Sequence, residues 1–176
     1  MFFDFVKRPR DYQLDIPRSE KWKIFGMLLL LEMAIIFIIV FPIYYLVNWI
    51  TPLREVEFIE DFTLVKSLIF LVFLIPFLEE VLFRLKLRYS GLVEAIISRG
   101  FWDRIFPYLV YCLALIFGLL HVTNYANSDL LFYVFAPLLV ISQLIGGFVM
   151  SYLRVRLNFW WAVYSILAGT LYLSCC

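Results

Sequence analysis

Long apolar runs alternate with short charged stretches along the whole chain. The first run, Ile24 to Ile50, holds a single charged residue, Glu32. The second extends from about Phe62 to Phe83, the third from Ile105 to about Val122, the fourth from Leu130 to Leu153 and the fifth from Phe159 to Leu173. About 20 apolar residues suffice to cross a bilayer as a helix, so the pattern predicts an all-α, polytopic transmembrane helical bundle of about five spans. Trp22 and Trp49 bracket the first run at positions suited to the membrane interface. Between the second and third runs, Arg84 to Arg104 mixes Lys86, Arg88, Glu94 and Arg99 with Leu85, Leu87, Val93, Ile96 and Ile97. That mixture predicts an amphipathic helix lying in the interface.

Composition agrees with this pattern. Of 176 residues, 64% are hydrophobic, and the mean hydropathy is +0.92. The lipid bilayer is therefore the first partner. Net charge is +1 and no basic stripe with interleaved aromatics occurs, which argues against nucleic acid. Basic residues cluster before the first run (Lys7, Arg8, Arg10, Arg18, Lys21, Lys23), between the second and third (Arg84 to Arg104), and after the fourth (Arg154, Arg156). These segments alternate on one side, so the positive-inside rule puts the N-terminus in the cytoplasm and, with five spans, the C-terminus outside. Two parts are expected: a basic cytoplasmic segment, 1–23, and a transmembrane domain, 24–176. The first run is too long for a signal-peptide core and reads as a retained span. Cys112 falls in an apolar run and reads as a small core residue. The terminal Cys175-Cys176 pair is open to lipidation.

Ionisable residues at membrane depth cost several kcal/mol unless paired or wet, so each is a functional candidate. The strongest group is Glu79-Glu80-Val81-Leu82-Phe83-Arg84. Residues four apart share a helix face, which pairs Glu80 with Arg84 and leaves Glu79 about 100° away. A carboxylate without a cationic partner is free to act as a general base on water. The competing reading makes both acids interfacial, paired with Arg84 and Lys86. His121, the only histidine, follows Phe117 by one turn and is placed to orient a group held by Glu79, or to serve structure alone. One histidine with two carboxylates supplies three metal ligands at most, so neither a metal nor another cofactor is expected. Glu32 and Gln143 read as polar glue between helices, and Gly146 and Gly147 as sites of close helix approach. With straight helices, Glu79 falls near the cytoplasmic end of its span and His121 near the outer end of the next. Contact between them requires strong tilt or a third span that starts deeper.

Glu79-Glu80-x-x-x-Arg84 followed by Phe117-x-x-x-His121 resembles the CPBP family of intramembrane glutamate-type proteases, which includes the CAAX prenyl proteases and bacteriocin-immunity relatives. The resemblance covers roughly 62–170. It implies a helical membrane bundle with a cavity, a hydrolase acting on a membrane-associated peptide or protein, and a bacterial inner (cytoplasmic) membrane location. It further implies that Glu79 activates water, Glu80 and Arg84 form a supporting pair, and His121 assists. The family's third motif, His-x-x-x-Asn, is thought to stabilise the oxyanion. Here its two positions fall on Ile166 and Thr170. Losing one oxyanion donor costs about 10²- to 10³-fold in rate. Ser165, Thr170, Tyr164 or Asn124 would have to substitute. Two readings follow: a CPBP-like protease, or a catalytically inactive relative serving as a structural or partner-binding subunit of a membrane complex.

Overall fold

The computed structural model describes residues 1–54, 56, 66, 69–84 and 86–173, with all of their side chains except those of 71, 72, 92 and 169–173. Cys175, Cys176, the start of the second span and most of the acidic segment between Glu55 and Asp61 lie outside the described residues. The elements within them are all helices: α1 (Phe2–Lys7), α2 (Arg18–Ile35), α3 (Phe41–Ile50), α4 (Ile75–Glu79), α5 (Leu92–Ile96), α6 (Arg99–Leu120), α7 (Leu130–Leu139), α8 (Ile141–Arg156) and α9 (Phe159–Leu173). Among the described residues, three stretches are long and apolar enough to cross a membrane: Arg18–Ile50, Arg99–Asn124 and Leu130–Arg156. Their outward faces carry exposed Leu30, Ile38, Trp49, Tyr108 and Leu130, as expected of surfaces solvated by lipid tails. Phe159–Ala168 is apolar but shorter.

Proline shapes the spans. Pro42 and Pro76 stand in the first turns of α3 and α4. Each follows a widened, π-type stretch, Ile36–Val40 and Ile69–Leu74. A proline ring clashes with the carbonyl four residues back and brings no N–H, and a locally widened turn relieves that clash without ending the helix. A third widened stretch, Glu80–Arg84, continues α4 through the acidic box. The fourth apolar run bends at Val140, between α7 and α8, while the Val140 N–H still donates to Ala136 O.

At the centre of the bundle α6 crosses α8 at close range. A Cβ on Gly147 would come within 3.3 Å of Ala114 Cα, and one on Gly118 within 3.3 Å of Leu144 Cβ. Gly147 thus has the close-approach role expected of it. Gly146 instead faces Glu32 Oε1. Val110, Val149, Leu153 and Ala162 are fully buried at this crossing and its α9 flank.

The N-terminal segment folds back onto the basic end of the bundle. Asp11 Oδ2 accepts from the Tyr89 N–H at 2.7 Å and from Trp102 Nε1 at 2.8 Å, with Arg99 3.7 Å away. Arg156 donates to Arg10 O and Tyr12 O and lies over the Tyr12 ring. The three basic segments therefore gather at one end, as their alternation implies. At the other end, loop 51–56 is bonded to loop 124–127 through Val56 N–H to Asn124 O, Arg54 N–H to Asn127 Oδ1 and Ala126 N–H to Arg54 O.

Two expectations change in detail. The amphipathic segment between Arg84 and Arg104 is a turn and the single short helix α5, because its last residues, from Arg99 on, are the opening turns of α6. Cys112 is exposed on the outer surface and is not a core residue.

Candidate active site

Residues 79–84 pack against the C-terminal third of α6. The Phe83 ring meets Phe117 edge-on at 5.4 Å, and the Arg84 guanidinium lies 4.4 Å from the Phe117 centroid. From Phe117 the helix continues back to Arg99, about 27 Å at 1.5 Å per residue. The side chains of the acidic box therefore act deep within the bundle and not at its basic surface. Glu80 is 0% and Arg84 1% exposed, which removes the interfacial reading for that pair. Lys86, proposed there as a partner, is exposed. The same depth resolves the problem of reach: Glu79 Oε1 and His121 Nε2 stand 4.0 Å apart. The third span does not begin deeper: α6 opens at Arg99, six residues before the expected Ile105, and ends at Leu120, so it is the depth of Glu79 that brings the two together.

Glu80 and Arg84 form an i,i+4 ion pair with Oε2 to Nη1 at 3.6 Å. The Arg84 carbonyl accepts from Arg154 Nε at 3.2 Å, tying the box to α8. Phe117 organises the other side. Its ring carries Arg84 on one flank and packs against His121 at 4.6 Å on the other. Its carbonyl lies 2.8 Å from His121 Nδ1. A carbonyl only accepts, so Nδ1 carries a proton and Nε2 is the nitrogen turned to Glu79.

Glu79 and His121 line a cavity of about 550 Å³ together with Glu32, Asn124, Ser142, Gln143, Ser165 and Ile166. Apolar walls come from Ile36, Val40, Phe41, Phe117, Leu139 and Met150. Ser165 Oγ donates to Glu32 Oε2 at 3.5 Å, and Ser142 Oγ to Gln143 Oε1 at 2.7 Å. Of the residues expected to support the site, Phe117, Asn124 and Ser165 are at the cavity. Thr170 lies on α9 with its side chain outside the described residues, and Tyr164 is exposed. Glu32 and Gln143, read from sequence as glue between helices, line the cavity. The signal was present in Glu32, a lone charge in an uncharged span, but nothing in the sequence tells which neighbour that charge meets.

The family model for the Type II CAAX prenyl endopeptidase Rce1-like proteins matches residues 61–168, more than half of the chain. The chain belongs to this family. No curated protein and no solved structure matches it. As an Rce1-like protein with three membrane-length apolar helices, it is an integral membrane protein of the CAAX-protease type. The matched region contains Glu79, Glu80, Arg84, Phe117, His121, Ser165 and Ile166. It leaves out Glu32 and the α2–α3 wall of the cavity, which this Rce1-like chain adds from outside the matched residues.

Proposed function

We propose that this Rce1-like chain hydrolyses a peptide bond in a membrane-associated substrate, with Glu79 as the base that activates water. The observation that carries the reading is the facing of Glu79 and His121 across 4.0 Å at the cavity wall. That spacing is longer than a direct hydrogen bond and admits a water bonded to both groups. Glu79 takes a proton from this water as its oxygen attacks the scissile carbonyl carbon. The proton is then handed to the departing amine. His121, fixed through Nδ1 by Phe117 O, holds the water by accepting a hydrogen bond from it at Nε2. Glu80 and Arg84 act as positioning residues that set the backbone bearing Glu79. Asn124, Gln143 and Ser165 are the hydrogen-bonding side chains available to a developing oxyanion.

The orientation follows from charge. The end that gathers the N-terminal segment, α5 and Arg156 is the cytoplasmic one, in a bacterial inner membrane. The cavity, bounded by Asn124, Tyr125 and Tyr44, then lies toward the outer half. In proteoliposomes, Glu79→Gln is expected to abolish cleavage of a membrane-anchored reporter peptide while leaving insertion and thermal melting unchanged. Equal cleavage by both chains would overturn the mechanism.

A second reading rests on Ile166. It lines the cavity where the third family motif would place a hydrogen-bond donor, and an aliphatic side chain donates nothing. On this reading the chain is a non-catalytic relative whose cavity binds a peptide or a membrane-complex partner. It predicts no hydrolysis of any peptide library together with retained peptide binding.

A further inference from the structure

Glu32 needs a reason to exist. It is the single charge between Lys23 and Arg54, in a span where an ionisable group carries a free-energy cost. Bonding between helices does not supply the reason. Its hydrogen bond comes from Ser165 at 3.5 Å, the outer limit for such a bond. Its other oxygen has Gly146 as a neighbour, where an added Cβ would lie 3.5 Å from Oε1, and both residues line the cavity. Cationic compensation is limited. The Arg84 guanidinium pairs with Glu80 and lies over Phe117, and it is not part of the cavity lining. The acidic and basic residues of that lining are Glu32, Glu79 and His121, with the phenols of Tyr44 and Tyr125 as its other titratable groups. The cavity is thus acidic, and its low-dielectric walls strengthen attraction to a positive ligand group.

The two acids belong to different walls. Glu79 and His121 stand on α4 and at the end of α6, while Glu32 and Ser165 stand on α2 and α9. A cavity of about 550 Å³ is in the range that encloses a drug-sized ligand, room for a short piece of peptide. Glu32 therefore reaches any chain that occupies the cavity from helices other than those that carry Glu79 and His121. We infer that Glu32, flanked by Ser165 and Gln143, is a specificity-determining residue that receives a basic side chain of the membrane-embedded substrate. Its carboxylate accepts the ammonium or guanidinium donors, and Ser165 and Gln143 complete the shell. Glu32 lies outside the residues that the family match covers.

The inference rests on the cavity being a substrate site, as proposed above, and binding separates it from catalysis. Two fluorescent, otherwise apolar hexapeptides differing only in lysine or norleucine at one central position are titrated onto the Glu79→Gln chain in nanodiscs. The lysine probe is expected to bind about tenfold tighter, and adding Glu32→Gln should erase that difference while leaving norleucine binding in place. Adding Glu32→Asp instead should retain a reduced lysine preference. Equal affinities for both probes, a preference that survives Glu32→Gln, or loss of both probes together would overturn the inference. A Glu32-dependent lysine preference in a chain that cleaves nothing would uphold it and overturn the hydrolase.

Discussion

Two polar clusters in this molecule are built on opposite terms. At the basic end, Asp11 accepts two hydrogen bonds at 2.7 and 2.8 Å and faces Arg99. Arg156 is held between two carbonyls and two rings, and Tyr111 donates to the carbonyls of Val6 and Lys7. In the cavity, Ser142 and Gln143 are bonded at 2.7 Å, but the two acids are held loosely, with 4.0 Å between Glu79 and His121 and 3.5 Å between Ser165 and Glu32. Tightly bonded polar groups have spent their capacity on structure. Loosely bonded ones facing open space keep donors and acceptors for a ligand. The fully buried Glu80–Arg84 pair stands between these cases, and its role is to join the structural part to the chemical one.

The comparison breaks most visibly through paired substitutions. Glu79→Gln is expected to lower turnover by about 10²- to 10⁴-fold, the usual contribution of a general base, with little change in thermal unfolding. Asp11→Ala is expected to do the reverse. It leaves the buried Trp102 indole N–H and the part-buried Tyr89 N–H without their acceptor, at about 1–3 kcal/mol, and should lower the melting temperature while turnover per folded molecule is kept. Activity and melting measured on the same detergent-purified samples check both. A Glu79→Gln chain that melts early, or an Asp11→Ala chain that is stable but inactive, would show that the two clusters are not separate in role.

A smaller effect is expected at Ile166. Placing a histidine there puts a donor at the cavity wall where the third family motif has one, and should raise cleavage about tenfold, part of what a missing oxyanion donor costs. The rate relative to wild type on one reporter peptide is the measurement. A fall in rate would mean that Asn124, Gln143 or Ser165 already serves the oxyanion and is displaced by the new ring.

How far the sequence foretold these clusters follows from what each depends on. The helical membrane architecture was legible because apolar runs of about 18 or more residues with few or no charges have few other solutions. The Glu80–Arg84 pair was legible because i,i+4 contact is local. His121 could be singled out by residue type, but its contact with Glu79 depends on how deep the acidic box packs against α6, and the apolar pattern misses even the start of that helix, placing it at Ile105 when it opens at Arg99. Charged and aromatic residues in those first turns concealed it, since Arg99 and Trp102 are there to meet Asp11. That contact spans 91 residues of sequence and leaves no periodic trace. Glu32 was visible as an anomaly for the same reason that its role was not: a lone charge reports its cost but not its neighbour.

The weakest expected effect concerns an acid that is well bonded yet fully in water. Asp129 caps α7, its Oδ1 accepting the Phe132 N–H at 2.8 Å. That backbone bond, helped by Asn127, holds its carboxyl below the ordinary 3.8. A carboxyl lowered in the folded state contributes stability that is present above its unfolded pKa and is lost as pH falls through the folded value. Protection of the first-turn amides of α7 against hydrogen exchange, corrected for intrinsic rate, should therefore decline as pH drops below about 3.8. Asp129→Asn keeps an acceptor at the cap but carries no charge to titrate, so its protection should stay flat across the same range. Decline in both chains would assign the acid sensitivity elsewhere. A difference confined to wild type would show that hydrogen bonding alone holds a carboxylate in place at this end of the bundle. The wider spacing around Glu32 and Glu79 is then a property of the cavity and not of carboxylates in general.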